Sequence, residues 1–216
     1  MRSRKNKKNN NIPKVAYLLL LLVGFGIGHM ARPVPGADEQ SVLLAKASNL
    51  VYIPEKDITH RFSPTPKKDA AQGCTQMVVD LINKTYATLT IGIFALTSKS
   101  IVLAIEDACS RGVQTTIFID KKFTGVNSPM QRLFRAGAQI YVYRGPYTYH
   151  LKCLVSDGKI METGSFNYSA NAERRNRENA SSHVSEPIAK IYLDELKRHQ
   201  GLPDFHPYGD LNRARS

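Results

Sequence analysis

The sequence contains few of the residues that hold metal ions or build disulfide scaffolds. It has three cysteines, no CxxC pair, and no cysteine–histidine cluster with the spacing of a zinc site. Cys74, Cys109 and Cys153 each lie within a segment of regular apolar pattern, so we expect buried free thiols. This excludes a disulfide scaffold and a zinc-stabilised fold, and it leaves the cellular compartment open.

Acidic residues are absent before Asp38, whereas six basic residues precede position 15. Residues 15–28 then run for 14 positions without a charge. That run is shorter than the roughly 20 residues of a membrane-spanning helix, and it is typical of an export signal. Because His29-Met30-Ala31 is a poor cleavage site, residues 1–31 are expected to be a signal peptide or an N-terminal signal anchor. We therefore expect an exported protein, periplasmic or secreted, or anchored to the inner membrane by residues 15–31.

Negative charge is also scarce in the rest of the chain. The formal net charge is +12, and because six of the 30 basic residues lie in 1–31, the body keeps 24 against 18 acidic residues, a net of +6. Apolar residues make up 42% of the chain, which excludes a disordered protein. A moderately basic body favours a polyanionic partner, either nucleic acid or an anionic membrane surface, although an ordinary soluble surface can carry the same charge.

The pattern along the chain divides it into an N-terminal segment (1–31), a linker (32–57) with a short strand near Leu50–Ile53, a folded domain (58–202) and a tail (203–216). An extended piece is expected at His60–Ser63. Helices are predicted over 69–86, 98–111, 128–136, 169–176 and 187–200, and strands over 89–96, 113–119, 139–143, 150–156, 159–163 and 179–184. This order predicts an α/β fold in a single domain, with a mixed, mainly parallel central sheet flanked by helices.

One stretch, His150-Leu-Lys-Cys-Leu-Val-Ser-Asp157-Gly158, carries a pattern of chemical interest. If it is a strand, His150 and Lys152 share a polar face while Leu151, Cys153 and Val155 point into the core. Asp157-Gly158 is a tight hairpin signal. The returning strand leads to Ser165 and Asn167, which alternate around Phe166 in the same way.

These residues would bring together a hydroxyl, an amide, an imidazole and an ammonium group. Such a combination suits the binding and cleavage of a phosphate diester. Lys152 can neutralise non-bridging oxygens, and Ser165 and Asn167 can donate hydrogen bonds to them. His150 can attack phosphorus or protonate a leaving oxygen near neutral pH. No carboxylate or thiolate cluster indicates a metal site, so we expect neither a metal ion nor another cofactor.

The HxKxxxxD pattern followed by Gly164-Ser165-Phe166-Asn167 resembles the HKD signature of the phospholipase D superfamily, most closely its small single-motif bacterial members, the Nuc-type endonucleases. The resemblance covers roughly Ile58–Leu202. It includes Phe62-Ser63-Pro64, the Arg111-Gly112-Val113 turn, and Asn176-Arg177-Glu178-Asn179. Leu151 departs from the pattern, because many relatives carry a polar residue there.

The resemblance implies the fold of that superfamily and a homodimer in which two motifs form one active site. His150 would be the nucleophile in one protomer and the acid and base in the other. It implies catalytic roles for His150, Lys152, Asp157 and Glu178, with Glu178 orienting an imidazole and Asp157 in a structural and orienting role. Lys152, Ser165 and Asn167 would bind phosphate without any metal.

Other residues near the motif carry charge or aromatic rings. Arg174, Arg175 and Arg177 are candidate contacts to nucleic acid, and Lys121 and Lys122 are similar, although such runs are as often solvated surface. The tyrosines at 141, 143, 147 and 149 lead into the motif, where rings stack on bases, lie at a lipid interface or pack in a core.

Three functions remain open at this stage. The first is a metal-independent, non-specific endonuclease acting on DNA or RNA through a phosphohistidine intermediate. The second is a phospholipase D that hydrolyses phosphatidylcholine-type lipids to phosphatidic acid. The third is a non-catalytic accessory protein that binds nucleic acid or membrane, which would require a degenerate site. In each case the N-terminal segment offers a membrane contact.

Overall fold

The structure is a computed structural model that describes residues 55–125 and 127–209. The predicted export segment 1–31, the strand near Leu50–Ile53 and the last part of the tail lie outside the described residues. Within the described ranges, none of the helices has both the length and the apolar character needed to cross a bilayer.

The described residues form five α-helices and eight strands. The helices are α1 (Cys74–Lys84), α2 (Lys99–Ser110), α3 (Met130–Arg135), α4 (Ala170–Arg174) and α5 (Glu186–Gln200). The strands are β1 (Ile58–Ser63), β2 (Thr88–Ile93), β3 (Gln114–Asp120), β4 (Gln139–Tyr143), β5 (Lys152–Ser156), β6 (Ile160–Gly164), β7 (Glu178–Val184) and β8 (Phe205–Pro207). Short 3₁₀ turns lie at Glu55–Asp57, Lys67–Gln72 and Lys121–Phe123.

The strands form one mixed sheet in the order β1-β7-β6-β5-β2-β3-β4-β8. This confirms an α/β fold with a mixed central sheet flanked by helices. The expectation that the sheet is mainly parallel is wrong, because only β2–β3 and β3–β4 pair in parallel. Strand β5 pairs with β2 in the antiparallel sense and continues through the tight hairpin at Asp157-Gly158 into β6, and β7 pairs antiparallel with β6 after a longer connection that contains α4. A tight hairpin can join only antiparallel neighbours.

Two elements differ from the predicted pattern. The helix expected over 69–86 is divided, because Gly73 is extended (φ −79°, ψ 165°) and separates a 3₁₀ turn from α1. The Glu173 carboxylate accepts hydrogen bonds from the backbone N–H and the hydroxyl of Thr75 at the start of α1. Strand β8 lies in a segment whose sequence shows no periodic pattern, and it pairs with β4 at one edge of the sheet.

The helices cover the sheet in two layers. Helices α1, α2 and α3 pack on one face over the larger core, which includes Ile91, Ile117 and Leu154. Helix α5 packs on the other face, where Leu196 meets Phe118 and Cys153 and Ala189 meets Val155. All three cysteines lie within the described residues and are free thiols, with Cys74 and Cys153 buried and Cys109 partly exposed.

Strand β5 is buried on both faces, which corrects the expected alternation of polar and apolar sides. The strand begins at Lys152 rather than His150, and every residue of it is buried. Leu151, expected in the core, is 36% exposed, whereas Lys152 is 6% exposed. The reason is that β5 lies in the middle of the sheet, with the larger core on one side and α5 on the other.

Helix α5 lies close to the sheet at Gly92 of β2. A Cβ atom on Gly92 would lie 2.8 Å from both Leu196 Cδ2 and the Tyr149 hydroxyl, and 3.1 Å from Cys153 Sγ. Such distances are far inside van der Waals contact. The helix therefore rests on the backbone of β2 at this point.

Candidate active site

The candidate residues lie along one edge of the sheet. In the register of the sheet Lys152 is opposite Ile93, the last residue of β2, and Glu178 is opposite Ser63, the last residue of β1. Ser165 follows directly after β6. The carboxyl ends of β1, β2, β3 and β6 thus meet the first residues of β5 and β7, which is the edge where α/β sheets commonly bind ligands.

His150 precedes β5 and has an exposed side chain. Its imidazole packs against the ring of Phe94, with the ring centroids 4.9 Å apart and the planes at 52°. Phe94 directly follows β2, and its backbone N–H donates to the carbonyl of Leu151 at 2.9 Å. The imidazole is therefore held from one side by an aromatic ring and is open on the other.

Lys152 lies beneath His150. Its ammonium group donates to the His150 carbonyl oxygen at 2.8 Å and is 5.4 Å from the centre of the Phe94 ring. Burial lowers the pKa of Lys152, and the negative charge of Glu178 acts in the opposite direction. A positive charge with few protein partners, placed beside an exposed imidazole, is suited to an anionic ligand.

Asp120 fixes the chain that leads into His150. It is fully buried at the end of β3, and its two carboxylate oxygens accept from the backbone N–H groups of Lys122 at 2.9 Å and Tyr149 at 2.8 Å. Hydrogen bonds to a buried carboxylate are stronger than neutral ones. One side chain therefore orients both Lys122 and the residue before His150.

Ser165 and Asn167 lie in the turn after β6. Ser165 is exposed, and its hydroxyl accepts from the backbone N–H of Asn179 at 3.1 Å. Phe166 between them is fully buried in the larger core, which confirms the predicted alternation in this segment. The Asn167 Oδ1 atom is buried and has no hydrogen-bond partner within the described part of the chain.

Glu178 is the first residue of β7. Its carboxylate accepts from the side-chain amide of Asn176 at 2.9 Å, and its charge acts on Lys152. In this structure its bond is to Asn176, so the expected role of Glu178 in orienting an imidazole stays a prediction.

Asp157 lies at the opposite end of β5 from His150. Its carboxylate accepts from the backbone N–H groups of Tyr86 at 3.2 Å, Ala87 at 2.8 Å and Thr88 at 2.9 Å, where the chain enters β2. Asp157 and Gly158 have φ of 51° and 66°, as the predicted tight hairpin requires. These contacts fit the structural and orienting role expected of Asp157, and its inclusion among the catalytic candidates stays a prediction.

The flanking residues divide into exposed and packed groups. Arg174, Arg175 and Arg177 are exposed. Tyr147 is 79% exposed, but Tyr149 is only 7% exposed and packs with Phe118, Cys153, Leu196 and Phe205. Tyr141 and Tyr143 are half-buried against the same cluster.

Two residues of the site escaped the sequence analysis. Phe94 lies within the strand predicted over 89–96, and Asp120 directly follows the strand predicted over 113–119. Both follow or end strands of the parallel part of the sheet, at its carboxyl edge, and that position is the signal that points to them.

A family model described as the PLD-like domain of cardiolipin synthase matches residues 78–200, more than half of the chain. The chain belongs to the phospholipase D superfamily. A phospholipase D of Rickettsia bellii is 28% identical over 202 residues, which cover 88% of this chain and 94% of that protein. The human mitochondrial cardiolipin hydrolase is 28% identical over 113 residues, which cover 52% of this chain and 45% of that protein.

Solved structures show the same fold. Nuc from Salmonella typhimurium superposes with a TM-score of 0.61 at 21% identity and covers 70% of this chain and 97% of its own. NucT from Helicobacter pylori superposes with a TM-score of 0.56 at 19% identity and covers 65% of this chain and 94% of its own. Membership of the phospholipase D superfamily makes this chain a hydrolase of phosphodiester bonds.

Proposed function

We propose that this phosphodiesterase is a non-specific endonuclease that cleaves DNA or RNA without a metal ion. The observation that carries the proposal is the charge on either side of His150. Lys121 and Lys122 follow β3, and Arg174, Arg175 and Arg177 lie in the segment that leads into β7. Strands β3 and β7 each lie two strands from β5, or about 10 Å at the usual strand spacing. A polyanion that crosses this edge meets cationic side chains before and after His150.

The mechanism we propose follows from the roles of the site residues. His150 attacks phosphorus, the bond from phosphorus to the leaving oxygen breaks, and the imidazole of a second protomer protonates that oxygen. Water, deprotonated by the same second imidazole, then attacks the phosphohistidine and releases His150. Lys152, Ser165 and Asn167 stabilise the charge on the non-bridging oxygens. Arrangement of two His150 side chains in this way requires a homodimer with a two-fold axis at the site.

The names of similar proteins support two substrates. Nuc and NucT, which share the fold, favour nucleic acid, whereas the Rickettsia relatives named phospholipase D favour a lipid. The second candidate is therefore hydrolysis of phosphatidylcholine-type lipids to phosphatidic acid. The exposed Tyr147 beside the site supports this candidate, because a tyrosine ring can lie at a lipid interface. We propose for either activity an exported protein, with residues 15–31 as the export signal or membrane anchor.

One assay separates the candidates. Purified wild-type chain and a His150→Asn variant are incubated in EDTA with plasmid DNA and, in parallel, with phosphatidylcholine vesicles. His206→Asn, which changes an exposed histidine of β8, is the matched control. Nicking of DNA by wild type and His206→Asn, but not by His150→Asn, is the expected result. Release of choline with intact DNA would replace the nuclease by the phospholipase, and activity that returns only with a divalent metal would contradict the mechanism.

The homodimer has its own test. When wild type and His150→Asn are refolded together in equal amounts, a site that needs two intact histidines retains about a quarter of the wild-type activity, and an independent site retains about half. The mass of the purified chain in solution gives a second measurement. A monomer with full activity would contradict the composite site.

A further inference from the structure

A groove of about 500 Å³ opens beside His150 on the α5 face of the sheet. Its walls come from the end of α5, from β4 and β8 and from the loop before His150. The side chains of Tyr143, Tyr149 and Phe205 make these walls aromatic, and Leu202 adds an aliphatic contact. A volume of this size lies within the usual range of sites for small ligands, roughly 300–1,000 Å³.

The aromatic walls hold each other in place. The ring of Phe205 lies 5.3 Å from the rings of both Tyr143 and Tyr149. The imidazole of His199 stacks on Phe205 with centroids 4.9 Å apart and planes at 10°. Because Tyr149, His199 and Phe205 are each less than a tenth exposed, their positions are set by packing. The groove is therefore formed before any ligand enters it.

Polar groups lie at the rim of the groove. Thr148 contributes a hydroxyl, and Glu195 contributes a carboxylate that is hydrogen-bonded to Arg198 and His199. Burial lowers the pKa of His199, so its ring favours the neutral form. The groove thus offers the half-buried ring of Tyr143 and the exposed Thr148, beside aromatic rings that are packed against one another. A flat, uncharged ring with polar edges fits that chemistry, because its face can stack on an aromatic ring while its edge meets a hydrogen-bonding group.

We propose that this groove binds the nucleobase next to the phosphodiester that is cleaved. The proposal rests on the proposed function, since it names the part of a nucleic acid that lies beside His150. Stacking on aromatic rings tolerates any base, because every base has a π-face. The groove would therefore hold the strand in position beside His150 without imposing a sequence.

The absence of tryptophan from the chain permits a direct test of binding. Thr148→Trp places a single indole at the rim of the groove, and Ile191→Trp places one on an exposed part of α5 that does not line the groove. The two variants are titrated with thymidylyl-thymidine, and with dimethyl phosphate as a diester without a base. We expect saturable loss of fluorescence with the dinucleotide in Thr148→Trp alone.

Several outcomes would overturn the proposal. These are equal quenching of both variants, an equal response to dimethyl phosphate, or no saturable response of a Thr148→Trp variant whose circular dichroism is native. A response to short-chain phosphatidylcholine but not to the dinucleotide would assign the groove to an acyl chain instead. This measurement needs no catalysis, so it remains decisive if the nuclease activity is absent.

A second measurement uses rates and does not depend on an introduced tryptophan. Wild type is offered thymidine 5′-(p-nitrophenyl phosphate) and methyl p-nitrophenyl phosphate, which share a leaving group and differ in that a methyl group replaces the nucleoside in the second. We expect kcat/KM to be about tenfold higher for the nucleoside ester, as one stacked base provides. Leu202→Asp should remove most of that preference, and Ile191→Asp should keep it.

Equal rates on both esters in the wild type would contradict base binding in the groove but not the nuclease activity. Hydrolysis of neither ester, together with dinucleotide binding, would overturn the nuclease alone.

Discussion

The ammonium group of Lys152 lies 5.4 Å from the centre of the Phe94 ring. The imidazole of His150 packs against the same ring, and Phe123 meets it edge-on with centroids 4.8 Å apart. The ring is therefore shared by the two side chains that the proposed mechanism uses most. An aromatic face attracts a cation by about 0.5–2 kcal/mol, and this holds both for Lys152 and for a protonated His150.

Replacement of Phe94 should lower the rate without abolishing it. Phe94→Leu keeps the apolar volume and removes the aromatic face, so we expect kcat to fall about tenfold on whichever diester the wild type cleaves. Phe94→Tyr should retain most of the rate. The partly exposed Phe134 of α3 serves as the control, since Phe134→Leu should behave as wild type. Initial rates measured between pH 5 and pH 9 decide this, and a wild-type profile for Phe94→Leu would show that the ring is only packing.

The contacts of Asp157 predict an effect on stability. Asp157→Ala removes an acceptor from three backbone N–H groups and leaves an alanine at φ 51°. We expect the free energy of unfolding to fall by about 2 kcal/mol. Asp157→Asn should lose less, because asparagine tolerates this φ and keeps one acceptor. Urea denaturation measures the difference, and equal stability of all three proteins would remove the structural role assigned here.

Glu162 makes stability depend on pH. It is fully buried, and burial raises its pKa to about 8, while the hydrogen bond from the Tyr168 hydroxyl acts in the opposite direction. Between the ordinary pKa of 4.5 and about 8, the unfolded chain releases this proton and the folded chain keeps it. The contribution is therefore fully present below pH 4.5 and is lost as pH rises, by up to about 1.4 kcal/mol per pH unit.

Glu162→Gln removes this titration. The free energy of unfolding of this variant should fall less between pH 5 and pH 8 than that of the wild type. The difference between the two proteins should therefore be smallest at low pH, where Glu162 is protonated in both the folded and the unfolded chain. Glu186→Gln, at an exposed position at the start of α5, should follow the wild-type curve. Urea denaturation at several pH values provides the comparison, and parallel curves for wild type and Glu162→Gln would contradict the expectation.

The arginines beside β7 predict the salt dependence of nucleic-acid binding. Changing Arg174, Arg175 and Arg177 together to Gln should reduce the slope of log K against log salt by about 2, since each phosphate contact contributes roughly 0.7–0.9. Changing Lys84, Lys159 and Lys190 to Gln removes the same charge on elements away from His150, and should leave the slope as it is. Binding of a labelled oligonucleotide to His150→Asn at 50–300 mM salt measures it. A slope that changes equally in both triple variants would show that only net charge matters.

The elements of the fold were largely predictable, but their pairing was not. The helix predicted over 98–111 and the strand predicted over 89–96 correspond to α2 and β2, because burial on one stripe or within a sheet leaves a visible pattern. That pattern contains no information on strand direction, so the antiparallel run from β5 to β7 was missed, although the Asp157-Gly158 hairpin implied part of it. Strand β8 has three residues and ends in Pro207, which is too short for any periodicity.

The candidate site was also predictable only in part. The positions of His150, Lys152, Ser165, Asn167 and Glu178 along one edge follow from a motif that the sequence displays. Phe94 and Asp120 were missed because their contacts join positions 56 and 29 residues apart, and only the pairing of β2, β3 and β5 brings these together. The burial of Lys152 was missed for a similar reason, since it depends on the strands and on α5 that cover β5.

Gly92 links the thickness of the protein to the shape of its binding surface. The atoms nearest to its missing side chain belong to Leu196 and Tyr149, and Leu196 is one residue from Glu195 on the same helix. An alanine at position 92 would therefore push α5 outward. Glu195 and His199, which lie on this helix, would then move away from the other walls of the groove. The depth available to a substrate beside His150 therefore depends on position 92 having no side chain.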